Sequence, residues 1–400
     1  MASHFAVPQR VATPLMKCAV CGGSLAKTSD APLEAKCYDM GGVYGIEHVV
    51  KECNRRKCRL RHHYHYYILG HKKINTLCRS QLEYVFVSGR VAFTARFLQY
   101  HSNLQFRAAI SARAVDWAYS DLFPGECSEH RFRRQLSAAL LCYDLVVETE
   151  PFGGHKQIVV PDGDRVAGLP KSLLDRYDKY MHEEGFTMTK ANSVREVVGD
   201  GHVKVFAVDN AGADDRAPKN GWFMLVHPGS LHILCATPMR SHENNEVVTE
   251  SLVRTLPKYP NCNGFMLDRQ CKYAPRNASN PKLSQLKYFA VDHFHQACHN
   301  KMCAYCCKNS RRLTLRFKGV NGSACEQIFS WFRHYGKILR NRNSRIHRFY
   351  VLKWSRMHNL LMDKGKRDHI PTKVFPNKRA PGTPYSCTTG VRKSAVQKRK

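Results

Sequence analysis

The sequence contains no long apolar run, and that excludes a membrane-spanning helix, which needs roughly 20 consecutive apolar residues. The first fifteen residues lack an apolar h-region and no lipidation motif is present, so neither a secreted nor an anchored product is expected. Acids are scarce: 32 Asp and Glu stand against 63 Lys and Arg, for a net charge of +31. An excess of that size sets up a field that draws in polyanions, which makes nucleic acid the expected partner and a membrane surface the competing one. The shortage of acids is greatest in the last quarter. From Lys308 to Lys400 there are 24 Lys and Arg but only Glu326, Asp363 and Asp368 as acids, a local excess of +21. No internal repeat is present. With 400 residues and 43% hydrophobic content the chain can form two or three small domains around buried cores.

Cysteine, by contrast, is abundant. Seventeen is an odd number, and in a chain of this size without secretory features it points to a reducing compartment and to metal ligation rather than disulfides. Cys18-x2-Cys21 and Cys53-x4-Cys58 are two short-spaced pairs of the kind that place four thiolates around a structural Zn²⁺. The alternative is buried free cysteines, but Lys51, Arg55, Arg56 and Lys57 beside the second pair favour thiolates. Cys37 and the run Arg61 to Tyr67 (RHHYHYY) offer substitute ligands. The Arg and aromatic residues of this block suit phosphate contact and base stacking, or else they fill its core.

Changes in composition divide the chain. Residues 17–75 form the Cys/His zinc-binding block. From 76 to 150 Gly and Pro are scarce, and Phe97, Leu104, Ala108 and Val115, then Leu136, Leu140 and Leu141, recur at helical spacing, so a helical domain is expected. Residues 151–200 read as a linker or insertion. Beyond them, VKVFAVD (from Val203), GWFMLVH (from Gly221) and LHILCAT (from Leu231) are expected strands, and Val248, Leu252 and Leu256 line a helix face. Gly264 to Asp268 is a further strand, followed by a Cys/His insertion at 292–308 and a helix from Ser323 to Leu339. Residues 363–400 are expected to be a basic disordered tail whose terminal Lys398-Arg399-Lys400 suits a nuclear import signal or a DNA arm.

This order of elements suits an α/β RNase H-like catalytic core (201–362), preceded by a small zinc-binding domain and a helical domain. Such a core converges three carboxylates on two divalent ions: one acid at the end of the first strand, one at the end of the strand after the first helix, one on a later helix. Asp209 ends VKVFAVD, Asp268 ends NGFMLD, and Glu326 lies at the edge of the stripe Cys325, Ile328, Phe329 and Phe332.

The stretch Asn263 to Asp363 carries LDRQCKY, VDHFHQACH and NGSACEQIFSWFRHYGKIL followed by HRFYVLKWSRMHN, and it resembles the catalytic core of the Kyakuja, Dileera and Zisupton (KDZ) transposases. The block from CAVCGGSL to CNRRKCRLRHHYHYY is similar to the cysteine clusters that accompany such transposases. The resemblance implies a nuclear protein that cleaves and transfers DNA strands with Mg²⁺ or Mn²⁺, using Asp268, Glu326 and Asp209, with transposon ends as substrate and a homo-oligomer as working form. Asp214 and Asp215 are neighbouring candidates for the first acid, and Asp292 is the alternative to Asp268 for the second. Asp292-x-x-His295 matches a signature of this group. Asp292, His295, Cys298, His299, Cys303 and Cys306 then form either a second zinc site or part of the core signature. Arg333, Lys337, Arg340, Arg342, Arg345 and Arg348 are the expected phosphate track. The competing functions are a domesticated, catalytically inactive zinc protein that binds DNA or chromatin, and an RNA-binding zinc protein.

Overall fold

The computed structural model describes residues 9–28, 30–126, 129–160, 169–188, 190–202, 221–239, 243–293, 295–340 and 342–368. These residues form two units, one drawn from 1–186 and 334–360, the other from 187–205, 220–333 and 361–400.

The first unit opens with ten strands: β1 (Gln9–Ala12), β2 (Leu25–Lys27), β3 (Leu33–Asp39), β4 (Gly42–Val49), β5 (Lys51–Cys53), β6 (Arg61–His62), β7 (Tyr66–Leu69), β8 (Lys72–Asn75), β9 (Tyr84–Ser88) and β10 (Val91–Thr94). They form two sheets, ordered β1-β4-β3-β10-β9 and β2-β5-β6-β7-β8. Helices α1 (Ala95–Ala108), α2 (Ala112–Leu122), α3 (Glu129–Thr149) and α4 (Lys171–Tyr180) follow.

Three sequence expectations change here. The expected boundary at 75/76 cuts through a sheet, because β10 pairs in parallel with β3 through Ala92 opposite Cys37. A cysteine block this small cannot bury enough apolar surface alone, and the β9–β10 hairpin supplies Val85, Phe86, Val87, Ala92 and Phe93, all fully buried. The helices therefore begin only at Ala95, where the Thr94 side chain caps α1 by accepting the Phe97 N–H. The buried face of α1 is Phe97, Leu98, His101, Gln105 and Phe106, rotated from the expected one, while Leu136, Leu140 and Leu141 of α3 are buried as expected. Tyr38, Phe93, Tyr119 and Phe132 join helices to sheet, with the Phe132 ring 4.8 Å from Tyr38 and 5.1 Å from Tyr119. Finally, the stretch expected as a linker at 151–200 contains α4 and most of the next strand.

The second unit comprises β11 (Glu196–His202), β12 (Trp222–Val226), β13 (Ile233–Pro238), α5 (Asn245–Thr255), β14 (Gly264–Leu267), α6 (Gln270–Asn277), β15 (Tyr288–Ala290), α7 (Arg311–Arg316) and α8 (Ala324–Phe332). The unit is mixed α/β. Its sheet runs β13-β12-β11-β14-β15, with β11, β12 and β13 antiparallel in succession and β14 and β15 parallel to β11. The strand expected from Val203 lies outside the described residues. Strand alternation gives the sheet two apolar faces. Val197, Phe223, Leu225, Phe265 and Leu267 belong to a core with Val248, Leu252 and Leu256, the side chains expected to line one helix face. The other face meets α8, whose Cys325, Ile328, Phe329 and Phe332 are buried and whose Cys325 thiol lies 3.3 Å from the Val198 carbonyl.

The helix expected through Leu339 ends at Phe332. A tighter turn over Arg333–Tyr335 follows, and α9 (Gly336–Arg340) and α10 (Ser344–Asp363) then run through the first unit up to Leu360. Gly336, a poor helix former, sits at this break. Of the basic tail, residues from 369 onward lie outside the described residues. Its first part is held in the second unit, where Asp363 accepts from His232 at 3.0 Å and Arg367 donates to the Gly229 carbonyl at 3.0 Å. Among the described residues no helix is long and apolar enough to cross a membrane.

Candidate metal centres

Strand register assembles the principal site. Val198 of β11 pairs with Met266 of β14, and Met266 pairs with Ala290 of β15. Side chains two residues apart share a face, so Asp200, Asp268 and Asp292, each two positions beyond one of these partners, fall side by side on the face that α8 covers. Glu326 projects from the first turn of α8, and Glu243 precedes α5 next to its capping residue Asn244. Two groups of three result: Asp200, Glu243 and Asp268; and Asp292, His295 and Glu326. In each group the ligand atoms all lie within 4.8 Å of one another.

Neighbouring backbone fixes these side chains. The Gly201 N–H donates to Asp200 Oδ1 at 2.8 Å and to Glu243 Oε2 at 3.1 Å. A Cβ on Gly201 would stand 2.7 Å from Glu243 Oε2, so a side chain there would displace that carboxylate from its place. Gly322 serves the other group, because a Cβ there would come 2.7 Å from the His293 backbone nitrogen in the loop carrying Asp292 and His295. His295 Nδ1 donates to Asp292 at 2.9 Å and lies 3.6 Å from Glu326 Oε1.

The electrostatics are those of a site short of positive charge. Burial, then the charges of Glu326, Asp268 and Glu243, hold the Asp200 carboxyl far above its ordinary range. Burial also raises Glu243 to about 7, with Asp268 adding to it, and raises Glu326 to about 7, with Asp292 adding to it. Asp268 is raised for the same reason. Burial works to lower the His295 imidazole, but Asp292, Glu326 and Asp268 more than offset it and bring the ring to about 9. Glu243 Oε1, Asp268 Oδ1 and Glu326 Oε2 are buried without a hydrogen-bond partner, and the Arg269 guanidinium, 3.9 Å from Glu243 Oε1, offsets only part of the negative charge. Buried carboxylate oxygens left unsatisfied are costly, and a divalent cation is the partner this donor set fits.

Asp268, Glu326, Asp292 and His295, all singled out from sequence, are thus brought together. Asp209 lies outside the described residues. Asp200 and Glu243 were missed. Asp200 sits in Gly199-Asp200-Gly201, which reads as a turn, and Glu243 lies in a polar stretch without periodicity.

The N-terminal cluster is present as expected. Cys18, Cys21, Cys53 and Cys58 form a group able to hold a metal ion, with Cys18 and Cys58 sulfurs 3.8 Å apart and Cys21 and Cys53 sulfurs 3.4 Å apart. Gly22, at φ +70°, closes the first knuckle, and the Gly23 N–H draws the Cys21 thiol down to about 7. His62 Nε2 stands 3.4 Å from the Cys18 sulfur. Cys37 lies outside the cluster, buried in β3, its thiol pushed up to about 12 by burial. His62, His63, Tyr64, His65 and Tyr66 are buried and pack on one another and on Phe86, so in this run the core-filling reading holds over base stacking.

A third group, Cys271, His299 and Cys303, adds a residue not foreseen, and Cys298 and Cys306 stand outside it. Of the expected phosphate track, Arg333 and Lys337 are exposed, and Lys337 and Arg342 line a cleft with Arg133, Arg134 and His334. Arg345 donates to the Leu169 carbonyl, and Arg348 is matched by Asp178 at 3.0 Å and Asp175 at 3.5 Å. Arg340 is half-buried. Compared with known proteins, the chain matches no protein-family model, no curated protein and no solved structure.

Proposed function

We propose that the second unit is an RNase H-like catalytic core that cleaves or joins DNA strands by metal-dependent phosphoryl transfer, as the KDZ resemblance implies. The observation that carries this reading is the alignment of Asp200, Asp268 and Asp292 across three parallel strands beneath Glu326 of α8. Asp200 takes the role of first acid that the sequence had assigned to Asp209. A sheet ordered β13-β12-β11-β14-β15, with acids on its central strand, on its neighbour and on a covering helix, is the arrangement such a core requires.

Mg²⁺ or Mn²⁺ held there would supply the Lewis acidity that activates an attacking hydroxyl and stabilises the leaving oxygen. Asp200, Glu243 and Asp268 would hold one ion, and Asp292, His295 and Glu326 the other. Asp292 fixes the orientation of the His295 ring through Nδ1, and the imidazole would give up its other proton to take an ion. The Gly201 N–H positions Asp200 and Glu243 together. At the N-terminal cluster, thiolates about 3.8 Å apart form the edges of a tetrahedron with Zn–S bonds of about 2.3 Å, and the two observed separations fit a structural zinc. The exposed knuckle Arg55-Arg56-Lys57 and the net charge of +31 support DNA as partner and the nucleus as location.

The test is Mn²⁺- or Mg²⁺-dependent nicking of supercoiled DNA by the full chain. Asp200→Asn, Asp268→Asn and Glu326→Gln should each reduce nicking roughly 100-fold or more, as removal of a transition-state charge stabiliser does, while Asp209→Asn leaves it intact. Nicking that survives all three substitutions, or that never appears in protein with its zinc bound, would overturn this reading.

A further inference from the structure

The loop after Asp292 folds back on the helix after Asp268. His299 Nδ1 lies 3.5 Å from the Cys271 sulfur and 3.8 Å from the Cys303 sulfur. Zn–S bonds of about 2.3 Å and Zn–N bonds of about 2.05 Å at tetrahedral angles require sulfur-to-nitrogen edges of about 3.6 Å, which the two observed separations fit. Cys306 lies outside this group of mutually close atoms but is placed to join it as fourth ligand. It follows Cys303 at the x2 spacing of the N-terminal knuckle, its N–H bonds the Cys303 carbonyl at 3.1 Å, and its side chain is buried. The loop is braced by Asn309, whose amide donates to the Lys301 and Cys303 carbonyls. Residues 299–305 are exposed or half-buried and form no helix or strand, and the Val291 N–H ties the loop to the sheet through the Tyr305 carbonyl at 2.8 Å.

We propose that Cys271, His299, Cys303 and Cys306 bind a second structural zinc, which clamps the start of α6 to the insertion loop. Cys271 lies three residues past Asp268, and His299 four past His295. The clamp therefore fixes the spacing between the two halves of the carboxylate site. Zinc binding here does not depend on what the carboxylates do; the positioning role rests on the function proposed above.

Metal analysis of the full chain, purified under reducing conditions without added zinc, should find two zinc ions per chain. Cys271→Ser and Cys303→Ser should each retain one, as should Cys18→Ser, which loses the other. Cys271→His, which preserves a ligand, should keep both, and its Co²⁺-substituted form should show fewer thiolate charge-transfer bands than wild type. The wild-type Co²⁺ spectrum, with one four-sulfur and one three-sulfur, one-nitrogen site, reads the cluster even if the serine variants fail to fold. A single zinc in wild type that survives Cys271→Ser, or a Cys271–Cys303 disulfide in freshly isolated protein, would overturn the site. Loss of this zinc should also weaken Mn²⁺ binding roughly 10-fold or more, as loss of a supporting shell does. Unchanged Mn²⁺ affinity would remove the clamp role and leave the zinc. Two zincs without any nicking would instead overturn the proposed phosphoryl transfer.

Discussion

A single residue decides how far the charge of the principal site is tolerated. His295 is the one group among the six aligned side chains that carries positive charge in the metal-free protein, and its hydrogen bond to Asp292 holds it there. Folding raises Glu243 and Glu326 from an ordinary value of 4.5 to about 7, so between those values the folded chain binds more protons than the unfolded one. Their contribution to stability is fully present below about pH 4.5 and lost as pH rises through about 7. His295 adds to the same trend, losing its contribution as pH rises through about 9. Divalent cations replace the protons, so thermal melts should show a larger Mn²⁺-induced rise in Tm at pH 8 than at pH 6. An equal rise at both would contradict the raised carboxyls. A second charged residue matters to the first unit. Lys353 is buried against Asp144 at 2.5 Å and donates to Ser102 at 2.8 Å. Lys353→Met leaves Asp144 buried without its cation and should cost about 3–5 kcal/mol in urea denaturation, much of it regained in the double variant with Asp144→Leu.

Among the elements, β11 shows why part of the site escaped the sequence. Asp268 and Asp292 end short continuous apolar runs, FML and YFAV, of the kind that buried strands show. β11 holds Gly199-Asp200-Gly201 instead, so the features that let Glu243 approach are those that make the segment read as a turn. The helix face of Val248, Leu252 and Leu256 and the stripe on α8 were legible because burial follows the 3.6-residue period. The sharing of a sheet between the cysteine block and the segment after it was not, since parallel pairing of β10 with β3 leaves no local signal. Gly201→Ala should leave far-UV circular dichroism unchanged while weakening Mn²⁺ binding measured by calorimetry roughly 10-fold, by displacing Glu243. Gly322→Ala, which crowds backbone rather than a flexible side chain, should lower Tm as well.

Across the whole molecule, charge and metal sites divide the labour. Residues from 369 to 400 contain eight Lys and Arg and no acid. If they touch DNA, truncation after Asp368 should flatten the dependence of log affinity on log salt by roughly 0.9 for each phosphate that is no longer neutralised, without changing the number of bound zincs. An unchanged slope would confine DNA binding to the two folded units. The Cys18 cluster was legible from spacing alone because its ligands come from two short knuckles. The Cys271 group was only half legible, since one ligand sits on a helix 28 residues before the next.

The alignment of three aspartates across β11, β14 and β15 also has a kinetic side. Parallel strands cannot be joined by a tight turn, so β11 meets β14 only after the intervening meander and α5 have been closed off, a non-local step of the kind that slows folding. That same step brings like-charged carboxyls together, a cost that protons or divalent cations relieve. If the β11–β14 pairing forms in the folding transition state, divalent cations should speed refolding as well as slow unfolding; if it forms later, they should slow unfolding alone.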